Sequence, residues 1–81
     1  MSAVPPPLRY VVEHGGPLGG WRSEPMALDA ARKEAQRLME EGRWRSSSGR
    51  PLLGEIETWH EVGGRGWICL RVAISHELEE R

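Results

Sequence analysis

Only one stretch of this 81-residue chain repeats its apolar residues at helical spacing over several turns, and that limits the fold more than any other feature. Leu28, Ala31, Ala35, Leu38 and Met39 fall on a single stripe, the mark of a helix that buries one side. The other strongly patterned stretches alternate with period two, as strands do. One helix covers one face of a sheet, so a sheet in this chain is expected to leave a face to solvent, to a second copy or to a partner.

The helix is predicted over 24–41. Ser23 suits its N-cap, Glu24 and Pro25 suit its first turn, and Gly42 supplies a left-handed stop. Asp29/Lys33 and Arg37/Glu41 stand four apart on the wet side. Trp21, just before it, is expected to pack as an apolar plug. A first strand is predicted over 8–14, where Leu8, Tyr10, Val12 and His14 alternate with Arg9, Val11 and Glu13. Gly15-Gly16-Pro17 and Gly19-Gly20 then read as a turn.

Two further strands, 54–62 and 66–75, are predicted to form a hairpin across Gly63-Gly64-Arg65. Setting Val62 opposite Gly66 pairs His60 with Ile68, Thr58 with Leu70 and Ile56 with Val72 on the core side. The same register sets Glu57 opposite Arg71 and Trp59 opposite Cys69 on the other side. A slip of one residue would turn Glu55 and Glu57 towards Leu70 and Val72, a costly burial of charge.

The expected fold is α+β: a small β-α-β-β domain over 8–76, with a mainly antiparallel three-stranded sheet and one helix on one face. Its core should contain Tyr10, Val12, Leu28, Ala31, Ala35, Leu38, Ile56, Ile68, Leu70, Val72 and Ile74. Residues 1–7 read as a flexible proline-rich arm, 42–51 as a mobile polar loop and 77–81 as a frayed acidic tail. Small proteins with this order of elements occur among phage and mobile-element accessory proteins, a fold-level association only.

A net charge of −1 argues against a general nucleic-acid footprint, which needs basic excess. No apolar run reaches the roughly 20 residues that span a bilayer. Met1–Pro7 lacks the layout of a secretory signal, so a cytoplasmic address is expected. The single cysteine excludes an internal disulfide and any multi-cysteine zinc site.

Catalytic chemistry finds little support. His14, His60 and His76 lack a close ligand spacing, so no metal site is expected. Cys69, beside tryptophan and carboxylates, should have a raised pKa and a structural role. Glu55, Glu57 and Glu61 read as one solvated strand face. The Gly15–Gly20 segment lacks the lysine and hydroxyl of a phosphate loop. The chain is therefore expected not to be an enzyme and to carry no cofactor.

Two surfaces remain. The uncovered sheet face should present Trp59, Trp67, Arg71, Glu57 and Val11, residue types that include strong binding anchors. It points to a non-enzymatic protein-interaction module of adaptor or inhibitor type, binding a protein partner or its own copy as a homodimer. The alternative is a nucleic-acid-binding accessory protein that uses Arg43, Trp44, Arg45 and Arg50, since arginine meets phosphate and tryptophan stacks on bases.

Overall fold

The alternation of residues 8–14 becomes a strand, β1 (Tyr10–Gly16), paired on both sides inside a sheet. The computed structural model describes residues 8–17 and 19–79. The expected arm over 1–7 therefore lies outside the described residues, as do residues 80 and 81 of the expected tail. After β1 come β2 (Gly19–Arg22), α1 (Leu28–Leu38), β3 (Trp44–Ser48), β4 (Glu55–Glu61), β5 (Trp67–Val72) and α2 (Ser75–Glu79). All strand pairs are antiparallel, in the order β2-β1-β5-β4-β3. The α+β class and the helix packed on one face stand, but the sheet has five strands rather than three.

Both additional strands lie at the edges, where backbone pairing can proceed without an apolar side-chain pattern. Gly19–Arg22 folds back on β1, pairing His14 with Trp21 and Gly15 with Gly20. Trp21 is consequently an exposed strand residue tilted against His14, ring centroids 5.0 Å apart, and not a plug at the helix. Trp44–Ser48, expected to be a mobile loop, pairs with β4 from Trp44↔Glu61 to Ser48↔Glu57. Gly49 permits that close approach, since a Cβ there would lie 2.5 Å from the carbonyl carbon of Glu55.

The helix is shorter than its apolar stripe suggested because its first residues are committed elsewhere. Ser23 is buried, and its hydroxyl accepts the Val12 amide at 2.9 Å and donates to the Glu24 carbonyl. Met26 and Tyr10 exchange two backbone bonds of 2.7 and 2.9 Å. Residues 23–26 thus extend the pairing along β1, and α1 starts from Ala27 with no side-chain cap. On its outer side Arg37 pairs with Glu34, three residues back, rather than with Glu41. Gly42 does hold a left-handed φ of 86°, three residues past the C-cap Met39.

Ala31 and Ala35 let α1 lie close to the sheet, where they bury with Val12, Ile68 and Leu70. Tyr10, Met26, Leu28, Leu38, Met39, Trp44, Ile56 and Trp59 pack around them. Two expected core residues lie elsewhere. Val72 is half-buried outside this cluster, and Ile74 is 57% exposed where the chain leaves β5.

The hairpin register is the one that the charge argument rejected. Trp59 faces Ile68, His60 faces Trp67, and Thr58 faces Cys69. The Glu61 amide bonds the Gly66 carbonyl at 2.9 Å, so four residues, 62–65, form the loop instead of three. A bulge between Glu55 and Glu57 removes the anticipated penalty. It inserts Ile56 as an extra residue, which keeps Glu55 on the side away from the helix, opposite Arg71 where Glu57 was expected, while Ile56 packs on the core. Glu57, left towards the helix, bonds the Ser46 hydroxyl and lies 3.5 Å from Arg32 of α1.

Candidate interaction face

With α1 on one side, the other side of the sheet carries Val11, Glu13 and Gly15 from β1, and Trp67, Cys69 and Arg71 from β5. Thr58 and His60 of β4 and Arg45 and Ser47 of β3 share it, as the pairings require. The end near Arg71 is closed by side chains. Glu77 of α2 reaches back to accept two bonds from Arg71, at 2.7 and 2.6 Å, and one from the Ile74 amide at 2.9 Å. Arg22 adds a contact of 2.9 Å, and Glu13 holds Arg71 from the opposite side at 2.5 Å.

The Glu77 side chain is 1% exposed and that of Arg71 15%. Chiefly the Arg71 fork, aided by the Ile74 amide and by Arg22, holds the Glu77 carboxyl down at about 2, against the resistance of burial. Glu77 in turn pushes the Arg71 guanidinium up. The short helix is therefore anchored by a tertiary clamp, and residues 77–79 do not form the frayed tail that their local sequence suggested.

The remainder of the face is a shallow hollow of about 510 Å³, lined by Trp67 and Cys69 with Glu13, Thr58, His60, Ser47, Ser48, Arg50 and Glu55. Trp67 is 36% exposed and rests on Gly15, where an added Cβ would lie 2.7 Å from its ring. Cys69 is buried at the floor. Burial pushes its thiol pKa up, partly opposed by a hydrogen bond with Thr58. The thiol is therefore held protonated and is poorly suited to nucleophilic attack. Arg50 forks onto Glu55 at 3.0 and 2.6 Å and lowers its pKa. This surface offers hydroxyls, an imidazole, neutralised ion pairs and one accessible indole.

The anticipated partner-binding residues are divided by the structure. Trp67 lies on the open face. Arg71 lies on the same face but is engaged by Glu77 and Glu13, and Val11, opposite it in the ladder, is fully buried. Trp59 and Glu57 face the helix, because the four-residue loop reverses the phase of β4 relative to β5 as far as the bulge. For the same reason His60 is exposed instead of lying in the core. The three β4 carboxylates do not share a face: Glu55 joins Arg50, Glu57 faces α1, and Glu61 folds over the turn to the Gly66 amide at 3.4 Å.

The residues anticipated for nucleic acid are also divided. The Trp44 indole donates to the Glu41 carbonyl at 3.0 Å and packs against the core. Arg50 is paired with Glu55, whereas Arg43 and Arg45 are exposed. Among the described residues no three His, Cys, Asp or Glu side chains gather as they would around a metal ion. No described helix is long and apolar enough to cross a membrane.

The sequence reading missed a further surface. Leu52, Leu53 and Ile74 are exposed where β4 begins and β5 ends. The available signal was an apolar pair confined between Pro51 and Gly54, a segment too short to bury itself. Comparisons of the chain with protein-family models, curated proteins and solved structures found no match.

Proposed function

We propose that this chain is a non-enzymatic protein-interaction module, of adaptor or inhibitor type, that binds a protein partner or a second copy of itself through the open side of the sheet. The observation that carries this reading is Trp67, a large indole left 36% exposed beside a shallow hollow. Tryptophans in such settings dominate binding energy when a partner excludes water around them. Its seat on Gly15 fixes the ring in advance, which reduces the entropy cost of docking. The neutralised Arg50–Glu55 pair gives the surrounding surface little net charge to oppose a close approach.

The nucleic-acid reading through Arg43, Trp44, Arg45 and Arg50 has less behind it. The indole meant to stack on bases is packed, and one of its arginines is already bridged to a carboxylate.

The test is solution mass by light scattering at micromolar concentration, at low and moderate salt, for wild type and Trp67→Ala. A wild-type dimer that persists in salt and dissociates in the variant, with unchanged circular dichroism, supports self-association. A wild-type monomer directs the same variant to pull-down experiments. Retention of every association by Trp67→Ala would sink the face reading.

A further inference from the structure

Going beyond that reading, we propose that an extended acidic segment docks on this chain by adding a sixth strand along the outer edge of β3. Two backbone bonds set the phase of that edge: the Val62 amide to the Arg43 carbonyl at 2.8 Å, and the Gly49 amide to the Ile56 carbonyl at 3.2 Å. In an antiparallel ladder bonded pairs alternate along the strand. Arg43, Arg45, Ser47 and Gly49 therefore turn their backbone groups to β4. Trp44, Ser46 and Ser48 turn theirs outward, and β3 is the last strand of the sheet on this side.

The other edge offers less. β2 is four residues long, half of them glycine, and its continuation along β1 is interrupted by Pro25. Its outward-facing Arg22 is engaged by Glu77. β3 is longer and has no proline, and Arg45–Ser48 are all exposed. Exposed edges of this kind pair with other strands unless charge or geometry prevents it.

Charge selects the occupant. Arg43 and Arg45 share the open side of the sheet, two residues apart, and β3 contains no acidic residue. A second copy joined two-fold at Ser46 would set Arg45 opposite Ser47 and Arg43 opposite Gly49, with the two Arg45 side chains diagonal across the seam and no acid from either β3 to meet them. Like charges brought near one another across strands oppose the pairing, whereas opposite charges favour it. The geometry instead fits a strand with acidic side chains at positions i and i+2, which would meet the two arginines while its backbone bonds Trp44, Ser46 and Ser48.

The probe is an end-capped peptide of alternating glutamate and valine, compared with its lysine counterpart, followed by amide hydrogen exchange and NMR shifts of the full chain. At low salt the glutamate peptide should slow exchange at Ser46 and Ser48 by about tenfold. Arg45 and Ser47, already within the ladder, should change little, and the protection should fade as salt rises. Ser46→Pro deletes the outward donor and should abolish the effect. Ser46→Ala loses the same hydroxyl bond to Glu57 but should bind as wild type does. Arg45→Glu, which leaves the ladder intact, should erase the preference for the glutamate peptide, and Arg43→Glu with Arg45→Glu together should reverse it to the lysine peptide.

Equal protection by both peptides, or none at β3 with either, overturns the edge assignment. Shifts confined to Trp67, Thr58 and His60 also overturn it, while leaving the face reading standing. Peptide binding at β3 that survives Trp67→Ala supports the edge even where the light-scattering test rejects the face.

Discussion

Two arginine–glutamate forks stand on neighbouring strands of the same sheet face, and they differ in depth rather than in chemistry. Arg50–Glu55 has its arginine side chain 72% exposed, and Arg71–Glu77 has its arginine 15% and its glutamate 1% exposed. The exposed fork can exchange its partner for water at little cost. The buried one cannot, because losing either member strands a charge away from solvent. One pair dresses a surface that remains open to partners, whereas the other anchors α2 and closes its end of the face. Position in the sheet decides which role the same two side chains play.

The sharpest way to break the contrast is Glu77→Ala. It leaves Arg71 with Glu13 and the Val72 carbonyl and should cost about 4 kcal/mol, a large share of what a domain of this size has. Urea unfolding measures it, and a loss no larger than that of an exposed pair would erase the distinction.

Acid titration comes next. The Glu77 carboxyl is held at about 2 instead of 4.5, so the clamp contributes stability above pH 4.5 that is lost as the pH falls towards 2. Glu77→Gln should remove that part of the acid limb of the unfolding curve. A variant curve that retains the whole wild-type slope would place the titration elsewhere.

Gly15→Ala perturbs the open part of the face. The new methyl collides with the Trp67 ring and should cost about 1–2 kcal/mol by overpacking. The displaced indole should change its fluorescence, and the buried Cys69 thiol should become quicker to alkylate. An unchanged alkylation rate would show that Trp67 does not shield the floor of the hollow. Smallest of all, Arg50→Ser should leave the urea midpoint where it is, and a clear drop would make the surface fork structural after all.

The difference between these regions also explains what was legible in the residues. The helix, β1, the hairpin and the Val12–Ala31–Ala35–Ile68–Leu70 core could be read because burial imposes a periodic apolar pattern. β3 carries Arg45 and three serines, with no such period, because its backbone ladder and the packed Trp44 hold it. β2 is half glycine for the same reason. α2 depends on Glu77 finding Arg71 and Arg22 across the fold, which no local pattern announces. Among the candidate site residues Trp67, Arg71 and Val11 lie on the side of the sheet away from α1, as their alternation implied. Trp59 and Glu57 were assigned to the wrong face because period-two reasoning does not count the extra residue in the loop, and Glu55 escapes the same reversal only through Ile56, an extra residue in the strand.

That extra residue makes β4 tolerant of one kind of length change and intolerant of others. Removing Ile56 deletes a core side chain but leaves Glu55 opposite Arg71 and Trp59 opposite Ile68, so the strand stays in frame on both sides. Removing Trp59 or His60 has no bulge to absorb it and would deliver the wrong side chain to one of the two faces. Among sequences sharing this fold, gaps in β4 should therefore collect at position 56, with the spacing from Trp59 to the turn held constant.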